Sequence, residues 1–162
     1  MTVLVYTLGC RLNQCESEAL MDAFIKAGFD KALRDEDAEL VIVNTCTVTS
    51  KAEQKARRMI RLYSRSAKAV VVTGCYAEMD RSEIERLGSH VHVYGLKEKG
   101  GLMKLPAYLA SSLGSFPDIN DAIAAFKNEK TDPFIFDASS FSYHCRAYLK
   151  IQDGCDNSCA YC

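Results

Sequence analysis

The sequence carries almost no net charge. Its 20 lysines and arginines stand against 21 aspartates and glutamates, a formal balance of -1. Nothing in that balance draws the chain to DNA or to an anionic membrane. No apolar run approaches the length of a membrane span. The N-terminus, Met1-Thr2-Val3-Leu4-Val5-Tyr6, lacks the basic n-region and cleavage pattern of a secretory signal. There is no low-complexity segment. A G-x-G-x-x-G fingerprint is also missing: Gly9 stands alone and Cys10 follows it, which argues against a dinucleotide site. His90, His92 and His144 have no ligand spacing with one another, so ordinary polar placement is expected for each. These absences predict a cytoplasmic chain with no membrane and no DNA partner, in a compartment where thiols stay reduced.

What the sequence does have is cysteine. Eight cysteines in 162 residues, in a reducing compartment, point to metal or catalysis more than to a disulfide framework. The rest of the composition, 48% hydrophobic and 25% charged, is that of an ordinary globular protein long enough for one cored domain.

A strand–helix rhythm runs through the first two thirds. Thr2 to Leu8, Glu39 to Asn44, Ala69 to Thr73 and His90 to Tyr94 read as short strands rich in β-branched residues. Between them lie helix signals. Asn13 is a candidate N-cap with Glu16 three positions on, followed by Leu20, Met21, Phe24 and Ile25 at helical spacing and Gly28 as a C′ stop. Ser50-Lys51-Ala52-Glu53 opens a second helix to about Ser64, and Asp80-Arg81-Ser82-Glu83 a short third one through Leu87. A fourth helical stretch follows Gly95 and is interrupted by Gly100, Gly101 and Pro106. Alternation of this kind predicts a three-layer α/β fold with an open, mostly parallel sheet. The rhythm fades after Gly114, although Asn120 to Lys127 has the pattern of a short helix. The expected organisation is therefore an α/β domain over 1–113, a linker over 114–145, and the start of a second unit over 146–162. That second unit, a strand followed by a cysteine loop, reads as the opening of a β/α barrel, and the sequence as the N-terminal piece of a longer protein.

Six of the cysteines form two sets. Cys10, Cys46 and Cys75 each follow a predicted strand within two residues. Adjacent strands lie about 4.8 Å apart, so three neighbouring tips span roughly 10 Å and three thiols there can meet on one inorganic centre. Three buried packing cysteines are the plainer alternative. Cys155, Cys159 and Cys162 form the other set, C-x3-C-x2-C on one loop. Close thiols like these suit iron or zinc, and three of them leave one position of a four-iron cluster open. The same loop could be a zinc knuckle. Cys15 is expected to have no metal role, and Cys145 to be a packing residue or an exposed thiol.

Four segments carry a resemblance: Thr7 to Gln14, Asn44 to Thr49, Thr73 to Tyr76 and Arg146 to Cys155. Together with the C-terminal cysteine loop they resemble the radical S-adenosylmethionine (SAM) methylthiotransferases. The details are most similar to the branch acting on N6-threonylcarbamoyladenosine beside the tRNA anticodon. The branches acting on isopentenyladenosine or on a ribosomal-protein aspartate share the same cysteines. The resemblance implies two [4Fe-4S] clusters. Cys10, Cys46 and Cys75 would hold the one that carries the transferred sulfur. Cys155, Cys159 and Cys162 would hold the one that binds S-adenosyl-L-methionine, with Tyr161 beside that cofactor. It implies tRNA as substrate, held mainly by segments outside this chain, an electron donor such as flavodoxin or ferredoxin, and no activity for this piece alone. The rival reading is a non-enzymatic metal- or cluster-binding α/β module. Asn13, Asn44 and Thr45 flank the first cysteine set and are expected either to donate hydrogen bonds to cluster sulfurs or to cap helices. Lys51, Lys55, Arg57, Arg58, Arg61 and Arg65 are read as a solvated helix face rather than a tRNA-facing patch.

Overall fold

Apolar residues alternate between two destinations along each central strand. In Leu40-Val41-Ile42-Val43, Leu40 and Ile42 enter one core cluster while Val41 and Val43 enter another. Ala69 and Val71 divide from Val70 and Val72 in the same way. A strand that is apolar on both faces needs helices on both sides, and that requirement sets the three layers.

The computed structural model describes residues 1–47, 49–128, 132, 134–136 and 150–152. Its strands are β1 (Thr2–Thr7), β2 (Asp30–Lys31), β3 (Leu40–Thr45), β4 (Ala69–Gly74) and β5 (Val91–Tyr94). They form one sheet in the order β2-β1-β3-β4-β5, and every pairing is parallel. The register sets Val5 opposite Ile42 and Ile42 opposite Val71. The chain leaves β1 toward one edge and returns to the other side of it with β3. The order of winding therefore reverses between β1 and β3, and a crevice opens beyond their carboxyl ends.

The helices are α1 (Arg11–Lys26), α2 (Ser50–Ser66), α3 (Cys75–Met79), α4 (Arg81–Glu85), α5 (Leu96–Lys99), α6 (Leu105–Ser112) and α7 (Ile119–Ala125). Leu20, Met21 and Phe24 of α1 share a cluster with Leu105 and Leu109 of α6 and with Ile119, Ala122 and Ile123 of α7. Ala56, Ile60 and Tyr63 of α2 pack on the other face with Tyr76 of α3 and Ile84 of α4. The expected α/β class is what the structure has, with a sheet that is parallel throughout.

Several local expectations change. The N-cap of α1 is Cys10, in extended conformation and with no side-chain cap, so the helix begins before Asn13. Ile25, expected on the core stripe, is 48% exposed. Thr49, not Ser50, caps α2: its Oγ1 accepts from the Ala52 amide at 3.2 Å. The short helix expected from Asp80 is α4, with Asp80 as its N-cap, but an unexpected helix, α3, precedes it and starts at Cys75. Gly100–Lys104 is a 3-10 turn joining α5 to α6. Pro106 sits in the first turn of α6, where a missing N–H costs little. In the segment expected to begin the linker, α7 is buried in the first core cluster. Asn120 Oδ1 of α7 accepts from His92 Nε2 of β5 at 3.1 Å.

Candidate functional site

Two glycines let the ends of β1, β3 and β4 approach one another. Gly9 has φ +101°, and a Cβ there would fall 2.4 Å from Cβ and 2.7 Å from Sγ of Cys46. Gly74 has φ +99°, and its Cβ would meet the Thr45 carbonyl oxygen at 2.3 Å. Only glycine adopts these angles without strain and leaves that space open. Cys46 thus packs directly on the turn that presents Cys10, and β4 can deliver Cys75 beside the end of β3.

Polar side chains brace this corner. Asn13 Nδ2 donates to the carbonyls of Leu8 at 2.8 Å and Thr45 at 3.0 Å, tying the β1 turn to the end of β3. Asn44 Nδ2 donates to the Asn13 carbonyl and to Ser17 Oγ, both at 3.0 Å. Thr45 Oγ1 donates to the Thr73 carbonyl at 2.6 Å, joining β3 to β4. These bonds use both amide hydrogens of Asn13, both of Asn44 and the hydroxyl hydrogen of Thr45. The expectation that they donate to cluster sulfurs or cap helices is corrected: they lock strand ends together. Tyr76, fully buried, fixes the start of α3 by donating to Glu83 Oε2 at 2.8 Å. Burial, then that carboxylate, push its phenol up to about 12.

The three thiols share the corner with different surroundings. Cys10 is exposed, Cys46 buried and Cys75 between the two. Burial pushes the Cys75 thiol up, and the neighbouring Cys46 and Cys10 push it further, while Lys99 draws it back. A positive centre bound there would relieve the mutual repulsion that keeps such neighbouring thiols from ionising. Among the described residues, no group of three or more His, Cys, Asp or Glu side chains is arranged to hold a single metal ion. A single zinc would need all its sulfurs about 2.3 Å from one point. Thiols are also the donors that iron–sulfur clusters take, so the donor type is compatible with one.

A cavity of about 300 Å³ opens at this corner, with Cys10 and Cys75 in its wall beside Asn13, Glu16, Lys99 and Lys150. Cys15, buried within α1, is not among the lining residues. Its thiol is pushed up by burial and then by Glu16 and Glu18. The three charged wall residues were missed as site residues. Glu16 reads in sequence as a helix-cap acid and Lys99 as part of an irregular stretch, while Lys150 lay within a recognised motif without a role. His90 and His92 take ordinary polar partners, Ser64 O at 2.7 Å and Asn120 Oδ1 at 3.1 Å. On α2, Arg57 pairs with Glu83 at 3.1 Å, and Arg58, Arg61 and Arg65 are exposed. Cys145, Cys155, Cys159, Tyr161, Cys162 and His144 lie outside the described residues.

A doubly wound parallel sheet with thiols at its switch point defines a class: an α/β domain with cysteines at its strand ends. Residues 2–95 match the model of the uncharacterized protein family UPF0004, and the chain belongs to that family. Three curated relatives are described as threonylcarbamoyladenosine tRNA methylthiotransferase MtaB. That of Treponema pallidum is 30% identical over 99% of this chain and 45% of its own length. Those of Bacillus subtilis and Thermotoga maritima are 32% and 34% identical, each over 99% of this chain and 35% of its own length. The chain thus spans between a third and a half of these relatives, and is similar to an N-terminal portion of a methylthiotransferase.

Proposed function

We propose that this chain is the sulfur-handling portion of a tRNA methylthiotransferase that modifies C2 of N6-threonylcarbamoyladenosine beside the anticodon. The observation that carries the proposal is the adjacency of β1, β3 and β4, which sets Cys10, Cys46 and Cys75 at one corner of the sheet. The substrate follows from the shared description of the three relatives. Cys10, Cys46 and Cys75 would hold one [4Fe-4S] cluster. Cys155, Cys159 and Cys162 would hold the second, which binds S-adenosylmethionine with Tyr161 nearby. When bound, these cofactors supply the electron, the methyl group and the sulfur that side chains lack.

The chain's own residues shape the place where this happens. Asn13, Asn44 and Thr45 hold the three strand ends in fixed register. Gly9 and Gly74 keep that corner free of side chains. Lys99 contributes positive charge toward Cys75 and favours its thiolate, the form that binds metal. The tRNA would be gripped mainly by parts of the protein beyond this chain. A flavodoxin or ferredoxin would supply electrons in the cytoplasm.

The test is anaerobic reconstitution with iron and sulfide, followed by iron counting and Mössbauer spectroscopy. Serine at Cys10, Cys46 and Cys75 together is expected to remove one cluster and spare the other. Serine at Cys155, Cys159 and Cys162 is expected to do the converse. If neither triple variant loses iron, or one tightly held zinc replaces the clusters, the proposal fails.

A further inference from the structure

Three deeply buried charges meet beside the thiol corner. The side chains of Glu16 and Lys150 are each 4% exposed and that of Lys99 is 8%. Glu16 Oε2 forms an ion pair with the Lys99 ammonium, and Oε1 accepts from Lys150 Nζ at 2.9 Å. Lys99 also donates to Asn13 Oδ1 at 3.3 Å. The Lys150 ammonium lies 5.6 Å and 5.4 Å from the ring centroids of Phe134 and Phe136, within reach of a cation–π attraction. One carboxylate on α1 therefore binds two lysines that the sequence separates widely, one on α5 and one 134 residues away.

Stability alone gives little reason for this arrangement, because apolar residues of similar volume often hold a core as well as a buried ion pair does. What a buried pair does provide is a unique register: the charges are satisfied in one alignment only. Lys150 lies five residues before Cys155. Chain connectivity keeps their Cα atoms within roughly 18 Å. Glu16 and Lys150 line the same cavity as Cys10 and Cys75.

We propose that Glu16 is a positioning residue: by binding Lys99 and Lys150 together it fastens the segment leading into the second cysteine motif against the corner formed by the first. In this role Glu16 sets how far the first set of cysteines is from the second. What the positioning serves rests on the two-cluster reading above; whether it occurs does not.

Trypsin reads the fastening directly, because cleavage after Lys150 requires that side chain to leave Glu16 and enter the protease. When opening is fast relative to cleavage, the rate follows the open population. Glu16→Gln, which strips one partner from a buried pair, is expected to raise cleavage after Lys150 about 100-fold in the native chain. Cleavage after Arg58, in the middle of α2, reports opening of the whole fold and is expected to change far less. Glu16→Asp keeps the charge, shortens the reach by one methylene, and should fall between; it carries the test if the glutamine variant does not fold. Asp22→Asn, which removes the Lys26 pair from the same helix, should leave Lys150 protected. Unchanged cleavage after Lys150, a parallel rise after Arg58 in both Glu16 variants, or an equal effect of Asp22→Asn would overturn the proposal. In the iron-loaded chain, Glu16→Asp should retain its iron yet weaken the magnetic interaction between the reduced clusters. An unaltered interaction alongside faster cleavage would overturn the link to cluster spacing. Iron for a single cluster in the unsubstituted chain would instead count against the proposed function and leave the trypsin result standing.

Discussion

Alanine at Gly9 tests the corner where the first cysteine set meets. The substitution acts through two separable effects. First, φ of +101° at this position is a conformation that L side chains rarely adopt, a strain of about 1–3 kcal/mol. Second, the new methyl would lie 2.4 Å from Cβ of Cys46 and 3.2 Å from Nδ2 of Asn13. Carbon atoms rest about 3.5–4.0 Å apart, so the Cys46 backbone must retreat by about 1 Å. Overpacking of that kind costs about 1–3 kcal/mol. Gly28 supplies the control: its φ is +90°, but a Cβ there meets nothing within 4 Å. Gly28→Ala therefore reports backbone strain, and the excess loss in Gly9→Ala reports the contact with Cys46. For a chain of this length the excess should lower Tm by roughly 3–10 °C. Thermal unfolding of the two variants side by side measures it. Alkylation of Cys46, which is 3% exposed, should also quicken in Gly9→Ala and not in Gly28→Ala. If the two variants melt within about 1 °C of each other and Cys46 stays protected in both, the close approach of the β1 turn to β3 is refuted.

Removing the Asn13 side chain should be costly for a different reason. Asn13→Ala strands the Leu8 and Thr45 carbonyls and deprives Lys99 of an acceptor, a loss of about 2–4 kcal/mol by urea unfolding, with the m-value unchanged. A pH effect is expected from His92. Burial holds its pKa below the ordinary value of 6.5, aided by His90 and opposed by Asn120 and Asp118. Between the folded pKa and 6.5 the unfolded chain binds more protons than the folded one, so stability rises with pH across that window and falls as pH drops through it. Urea midpoints measured from pH 7 to pH 5 should therefore decline less steeply in His92→Gln; equal slopes would show that His92 does not govern the decline.

Strand existence was legible because β1, β3 and β4 are runs of mostly β-branched and aliphatic residues and β5 is Val-His-Val-Tyr, a short stretch of strand formers. β2 was not: Asp30–Lys31 is two exposed, charged residues. It pairs because the chain passes the edge of β1, with the Ala32 amide donating to the Val3 carbonyl at 2.9 Å. Helix starts slipped at Asn13 and Ser50 for a related reason. Each has the chemistry of a cap, but where the first turn begins depends on how the preceding strand delivers the chain. Asn13 shows this most clearly: a cap by local pattern, it serves as a clamp between two strand ends, and its Nδ2 partner at Thr45 lies 32 residues away from it.

The sequence by itself determined the class of fold and the candidate ligands. Strand–helix alternation, β-branched strands and cysteines just past them are local facts, and local chemistry reads them. Tertiary structure alone decided which strand tips are neighbours, that Asn13, Asn44 and Thr45 spend their hydrogens on the scaffold, and that Glu16 gathers Lys99 and Lys150 into one buried group. Ion pairs and clamps of this kind join residues far apart in the chain, and their partners are chosen by the winding of the sheet, which no short window of sequence contains.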